Sequence, residues 1–167
     1  MTTVRTRVIA VQHGFTIVEM LVTVALLGIA AAAVLPLVTI VEQRGKEAEL
    51  RVGLRTIRRA LDEYKAAADS GVIDKPTGTS GYPPKLEDLV NGVPRASASA
   101  RDADRIFFLR RLPRDPFHPD PAIPAQGTWR TRTYGAAPGD FSGGPDVFDI
   151  SSGSDKKALN GTNIRDW

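Results

Sequence analysis

Apolar residues dominate the chain from Phe15 to Val41, and the 22 residues from Met20 to Val41 carry no formal charge. Wound as an α-helix, that stretch is about 33 Å long, the thickness of a bilayer's hydrocarbon core. One carboxylate, Glu19, stands near its start. Beyond Val41 the pattern changes. Leu50, Leu54, Ile57, Leu61 and Tyr64 recur at spacings of four, three, four and three. This is one apolar stripe on a helix, with Arg51, Arg55, Arg58, Arg59, Asp62 and Glu63 mostly off it. No proline falls between Pro36 and Pro76, so the spacing predicts one helix from about Phe15 to Ala68, membrane-compatible first and amphipathic afterwards. Gly45 and Gly53 lower its local stability.

After the helix, glycine and proline punctuate the chain up to "GYPP". "KLEDLV" then predicts a short helix turning Leu86, Leu89 and Val90 inward. The polar stretch "VPRASASARDADR" reads as a surface loop, and the apolar run opening "IFFLRRLPRDPF" stops at two prolines. In "TWRTRTYGA" and "DVFDISS", β-branched or aromatic residues alternate with others, which predicts short antiparallel strands. Trp129 and Trp167 read as caps on the core. Arg110 and Arg111, before a proline turn, read as structural, one of them bonded to Asp115 or to loop carbonyls. The fold class is α+β: a long N-terminal helix packed on a small antiparallel sheet.

Composition narrows the chemistry. With no cysteine, disulfides, thiolate metal sites and cysteine nucleophiles are excluded. The two histidines are His13 and His118, so a serine–histidine arrangement has to use His118, which is bracketed by prolines in "DPFHPDP". The net charge of +3 falls close to neutral once Arg5 and Arg7 are set aside, which argues against bulk attraction to nucleic acid. The helical arginines have acidic neighbours and no interleaved aromatic platform, so they read as a solvated face.

Three readings compete for the apolar run. A cleaved secretory signal would use Ala30 to Ala33 as its cleavage site, but the run continues past them. A plain membrane anchor explains the length and leaves Glu19, a costly charge, without a purpose. The third starts from "GFTIVEMLVTVALLGIAAAAVLP", which resembles the N-terminal signature of the type IV pilin superfamily: type IV pilins, type II secretion pseudopilins and competence pseudopilins. The resemblance implies cleavage by a prepilin peptidase between Gly14 and Phe15, and N-methylation of Phe15. It makes Glu19 the assembly glutamate and Pro36 the helix-kinking proline. Cleavage would create an amine at Phe15, and pairing it with Glu19 of an adjacent subunit relieves the cost of both charges in a low-dielectric setting.

"YPPKLEDLV", "FLRRLPRDPF" and "VFDISSGSD…NIRDW" occur in the order found in major pseudopilins of type II secretion. That family binds calcium in its C-terminal loop, which implies a site built from Asp155, Asn160, Asn163 and Asp166. Here "NGTN" replaces the family's later run of aspartates, and Lys156 and Lys157 add opposing charge.

The resemblance implies a prepilin leader (1–14), a transmembrane assembly helix (15–41), its amphipathic continuation (42–68) and a globular periplasmic domain (69–167). The basic residues Arg5 and Arg7 place the N-terminus in the cytoplasm. The implied function is structural, not enzymatic: an inner-membrane subunit forming a homo-polymer with minor pseudopilins, driven by an assembly platform and an ATPase. The alternatives are a type IV pilus subunit, a competence pseudopilin, or, from another class, a membrane-anchored binding module or enzyme.

Overall fold

A computed structural model describes residues 14–96 and 104–167, without the side chains of residues 33 and 35. The readings of Arg5, Arg7 and His13 lie outside the described residues. The chain divides into two compact units, Met1–Ile40 and Val41–Trp167.

One helix, α1 (Ile17–Asp69), runs through Pro36 without a break. Thr16 caps its start, its Oγ accepting the Glu19 N–H at 3.1 Å. "T-I-V-E" is therefore the Thr half of a capping box, with Glu19 in the first turn, where the helix dipole favours an anion. Along the apolar run the large side chains are exposed, Ile17 and Phe15 among the most so. That run is long and apolar enough to cross a membrane.

In the second unit the stripe read from the spacing is the core. Leu50, Leu54, Ile57, Leu61 and Tyr64 are buried, joined by Ala60 and Ala68. Onto it pack Ile73, Leu86, Leu89, Trp129, Val147, Ile150, Ala158 and Ile164. Trp129 lies over Gly53, where an added Cβ would sit 3.5 Å from the indole, and its Nε1 donates to the Pro113 carbonyl at 2.9 Å. Gly53 thus marks close packing of a core cap.

The "KLEDLV" helix forms as α2 (Asp88–Asn91), with Leu89 buried and Val90 half-buried. It ends at Gly92, whose φ of +74° suits glycine and whose missing Cβ leaves room for the Phe107 ring; an added Cβ would meet that ring at 2.8 Å. The polar stretch that follows is not simply a loop. Its ends pair as β1 (Val93–Pro94) and β2 (Arg105–Ile106), antiparallel. The two expected strands appear as β3 (Trp129–Arg132) and β4 (Asp149–Ser152), antiparallel with Trp129 opposite Ser152.

Asp146 ties the turn after Gly78 to the end of β3. It accepts from Ser80 Oγ at 2.5 Å, Thr133 Oγ1 at 2.5 Å and the Tyr134 N–H at 2.9 Å. Partial burial pushes its pKa up, but the three hydrogen bonds together hold it below the ordinary carboxylate value. A carboxylate with a depressed pKa stabilises the fold above its unfolded pKa, and that contribution is lost as pH falls through the folded value. Asp146→Asn should therefore cost roughly 1–3 kcal/mol at pH 7. In urea titrations the gap from wild type should narrow below about pH 4.

Candidate assembly site and C-terminal clasp

Gly14 and Phe15 precede α1 and are exposed. A Cβ added at Gly14 would meet nothing within 4 Å, and its φ is not in the left-handed region. Among the described residues nothing in the packing requires glycine there. Glu19 is exposed on the first turn of α1 and has no cationic partner among the described residues. Pro36 removes one helical N–H donor. The nearby hydroxyls bond back to the helix, Thr39 Oγ1 to the Pro36 carbonyl and Thr23 Oγ1 to that of Met20, both at 2.9 Å. Such bonds satisfy hydroxyls where no water is available.

The C-terminal loop closes onto α1 around Glu47, which is only 4% exposed. One carboxylate oxygen accepts the Leu159 N–H at 2.7 Å and Gln43 Nε2 at 3.1 Å; the other meets Arg51 Nη2 at 3.5 Å. Gln43 Nε2 also donates to the Lys157 carbonyl at 2.9 Å. The Arg51 guanidinium lies 4.2 Å from the Trp167 ring centre, and the Trp167 indole donates to Thr162 at 2.8 Å. Lys157 and Asn163 form an isolated antiparallel bridge. Loop and helix are thus clasped by a buried carboxylate that spends its acceptors on a backbone N–H and two side-chain donors.

Calcium takes about six to eight oxygen ligands, so the four residues expected to hold it need free oxygens. Asp155 Oδ1 instead accepts from Arg165 Nη1 at 2.5 Å. Asn160 Oδ1 accepts from the Thr162 N–H and hydroxyl at 3.1 and 2.7 Å. Asn163 donates its amide to Asp166 Oδ2 at 2.9 Å. No group of three or more acidic or histidine side chains with metal-holding geometry occurs among the described residues. A calcium ion taken up there would have to displace the Arg165 guanidinium from Asp155. Thermal melts of Val41–Trp167 in calcium and in chelator should superimpose, and a rise of several degrees with calcium would show that the loop rearranges to bind it.

Asp115 is buried, but neither Arg110 nor Arg111 reaches it. It accepts from Ser152 Oγ at 2.6 Å and from the Phe117 N–H at 2.8 Å, tying the "RDPF" turn to β4. Arg110 and Arg111 are exposed, and Arg114 is the arginine that binds loop carbonyls, those of Asp120 and Ile123. His118 borders a cleft with Asp115 and Ser154. Its Nδ1 contacts only the Asp120 backbone, at 3.3 Å. Ser152 donates to Asp115, and among the described residues no hydrogen bond joins a serine to His118.

Glu47 escaped the sequence reading. The signal was available: the stripe of Leu50, Leu54 and Ile57, extended one step of three toward the N-terminus, lands on it.

The prokaryotic N-terminal methylation motif matches residues 9–35. The chain is 29% identical to the type II secretion system core protein G of Aeromonas hydrophila over 156 residues, 93% of this chain and 92% of the relative. It is 31% identical to the core protein G of Klebsiella pneumoniae over 65% of this chain and 71% of the relative. To that of Pseudomonas aeruginosa it is 33% identical, over 64% and 68%. No solved structure matches.

Proposed function

The chain belongs to the type II secretion system core protein G family, and on that premise we propose that it polymerises from the inner membrane once its leader is cut between Gly14 and Phe15. It is a structural subunit of a pseudopilus, anchored by its apolar N-terminal helix. The leader faces the cytoplasm and the unit Val41–Trp167 the periplasm. Prepilin peptidase cuts and methylates the chain, an assembly platform and its ATPase draw it into a filament with minor pseudopilins, and growth of that filament moves folded proteins outward. No residue performs catalysis in this scheme.

The observation that carries the reading is the exposed apolar helix that opens on Glu19. A carboxylate at the head of such a helix is costly in a membrane unless a cation meets it. Cleavage after Gly14 provides one at Phe15, and stacking subunits brings it to a neighbour's Glu19. Pilins and competence pseudopilins share this N-terminal logic, but the relatives that match more than nine-tenths of the chain are secretion proteins. Expression of the full chain with a secretion platform and ATPase should yield filaments labelled by antibody to this chain. If it stays dispersed in the membrane under conditions where another core protein G polymerises, the reading is wrong.

A further inference from the structure

On the face of the second unit where β3 and β4 meet the C-terminus, cationic donors outnumber their acceptors. A cleft of about 360 Å³ is lined by Arg58, Arg130, Arg132 and Arg165, with Asp149 and Asp166 as its side-chain carboxylates. The sequence places two of the four together, because Arg130 and Arg132 are alternate residues of a strand and point to the same face. Asp149 serves two guanidiniums, Arg58 at 2.8 Å and Arg132 at 3.4 Å. Asp166 is engaged by Asn163, and Arg165 by Asp155 outside the cleft. Arg130 pairs with no carboxylate among the described residues; its guanidinium lies 5.4 Å from the Phe141 ring centre. Arg132 is held against Phe148 at 4.7 Å, and its Nε is buried with no hydrogen-bond partner among the described residues.

Four guanidiniums thus face two side-chain carboxylates that are already engaged, so the cleft presents unmatched positive charge to an acceptor from outside. The guanidinium fork matches a carboxylate in shape and charge. We propose that this cleft receives a carboxylate from the spine helix of a second copy of this chain, an inference that rests on the filament reading above. The complement is on α1. Glu42 and Glu49 are exposed and have no ion pair or side-chain hydrogen bond among the described residues. They are seven residues apart, about two turns, and so share one face. Arg58 is nine residues beyond Glu49, about two and a half turns, which puts it on the opposite side. The clefts bear this out: Glu49 borders the segment from Leu109 to Arg114, whereas Arg58 borders the C-terminal residues. Acidic flank and arginine cleft therefore do not meet within one chain. Between copies they form a head-to-tail contact, and a contact of that type propagates into a helical array when it does not close.

The absence of cysteine makes the test clean. Full-length chains carrying R130C and a tag are co-expressed with untagged chains carrying E42C or E49C, together with the assembly machinery, and oxidised. A disulfide-linked heterodimer is expected with at least one of the two, and none with D74C as control. In parallel, R130E should lower filament yield at least tenfold, and E42R or E49R in the same chain should restore it. Arg130 forms no ion pair among the described residues, so R130E should melt like wild type. Filaments of the unmodified chain are imaged from the same cells. If they form but neither pair cross-links, or R130C links to a different protein, the cleft has another occupant and the proposal is overturned while the filament reading stands. If the unmodified chain forms none, both fail.

Discussion

Glu19→Gln should leave the helix intact and abolish the filament. Glutamine serves at the third position of a capping box as glutamate does, so the Thr16 cap survives. The negative charge does not. If Glu19 acts only by favouring the helix N-terminus, its loss costs about 0.3–1 kcal/mol and assembly continues. If it pairs with the Phe15 amine of a neighbour, the substitution leaves a cation uncompensated in an apolar setting, a penalty of several kcal/mol per contact. Filament yield should drop at least tenfold, as for Glu19→Ala, while cleavage after Gly14 proceeds at its normal rate. Gel mobility after co-expression with prepilin peptidase reads the cleavage, and electron microscopy reads the yield. A Glu19→Gln chain that polymerises like wild type would show that the charge is not the assembly device.

The second large effect is expected at Glu47. Glu47→Ala removes the acceptor of the Leu159 N–H and the partner of Gln43 and Arg51 together. The Arg51 side chain is 48% exposed, so solvent screens its share of the interaction. Most of the loss comes from the orphaned backbone donor and from the void, about 2–4 kcal/mol in all. In a unit of this size that lowers the melting temperature by roughly 6–15 °C. Glu47→Gln keeps an acceptor for Leu159 and should lose less than half as much. Hydrogen exchange should speed up at Leu159 and at the Lys157–Asn163 bridge before it does at Ile150. If both variants melt like wild type, the C-terminal loop is held by Trp167 and Ile164 without the carboxylate.

How much of this could be read from the residues depends on how local the cause was. The spine was legible because a stripe at spacings of four and three has one simple explanation, and Leu50 to Tyr64 are buried as that explanation requires. Strands β3 and β4 were legible by alternation. The β1–β2 pair was not, since two residues on each side of a polar stretch carry no periodicity. The role of Thr16 was visible in "T-I-V-E" but overshadowed by the glutamate's assembly role. Glu47 was hidden by its charge: a carboxylate on a core stripe makes sense only when the backbone N–H that meets it, 112 residues later in the chain, is known. The calcium expectation came from likeness alone. Neither its fit nor the salt bridge that occupies Asp155 can be derived from the spacing of "SDKKALNGTNIRDW".

The central claim is that the working subunit begins at Phe15, with a new amine that Glu19 of a neighbour is placed to meet. Intact-mass analysis and terminal sequencing of the chain extracted from membranes, after co-expression with a prepilin peptidase, test it directly. The account predicts a single species beginning at N-methylated Phe15 with the whole apolar helix retained. A chain that still begins at Met1, or one cut near Ala30 to Ala33, would contradict it.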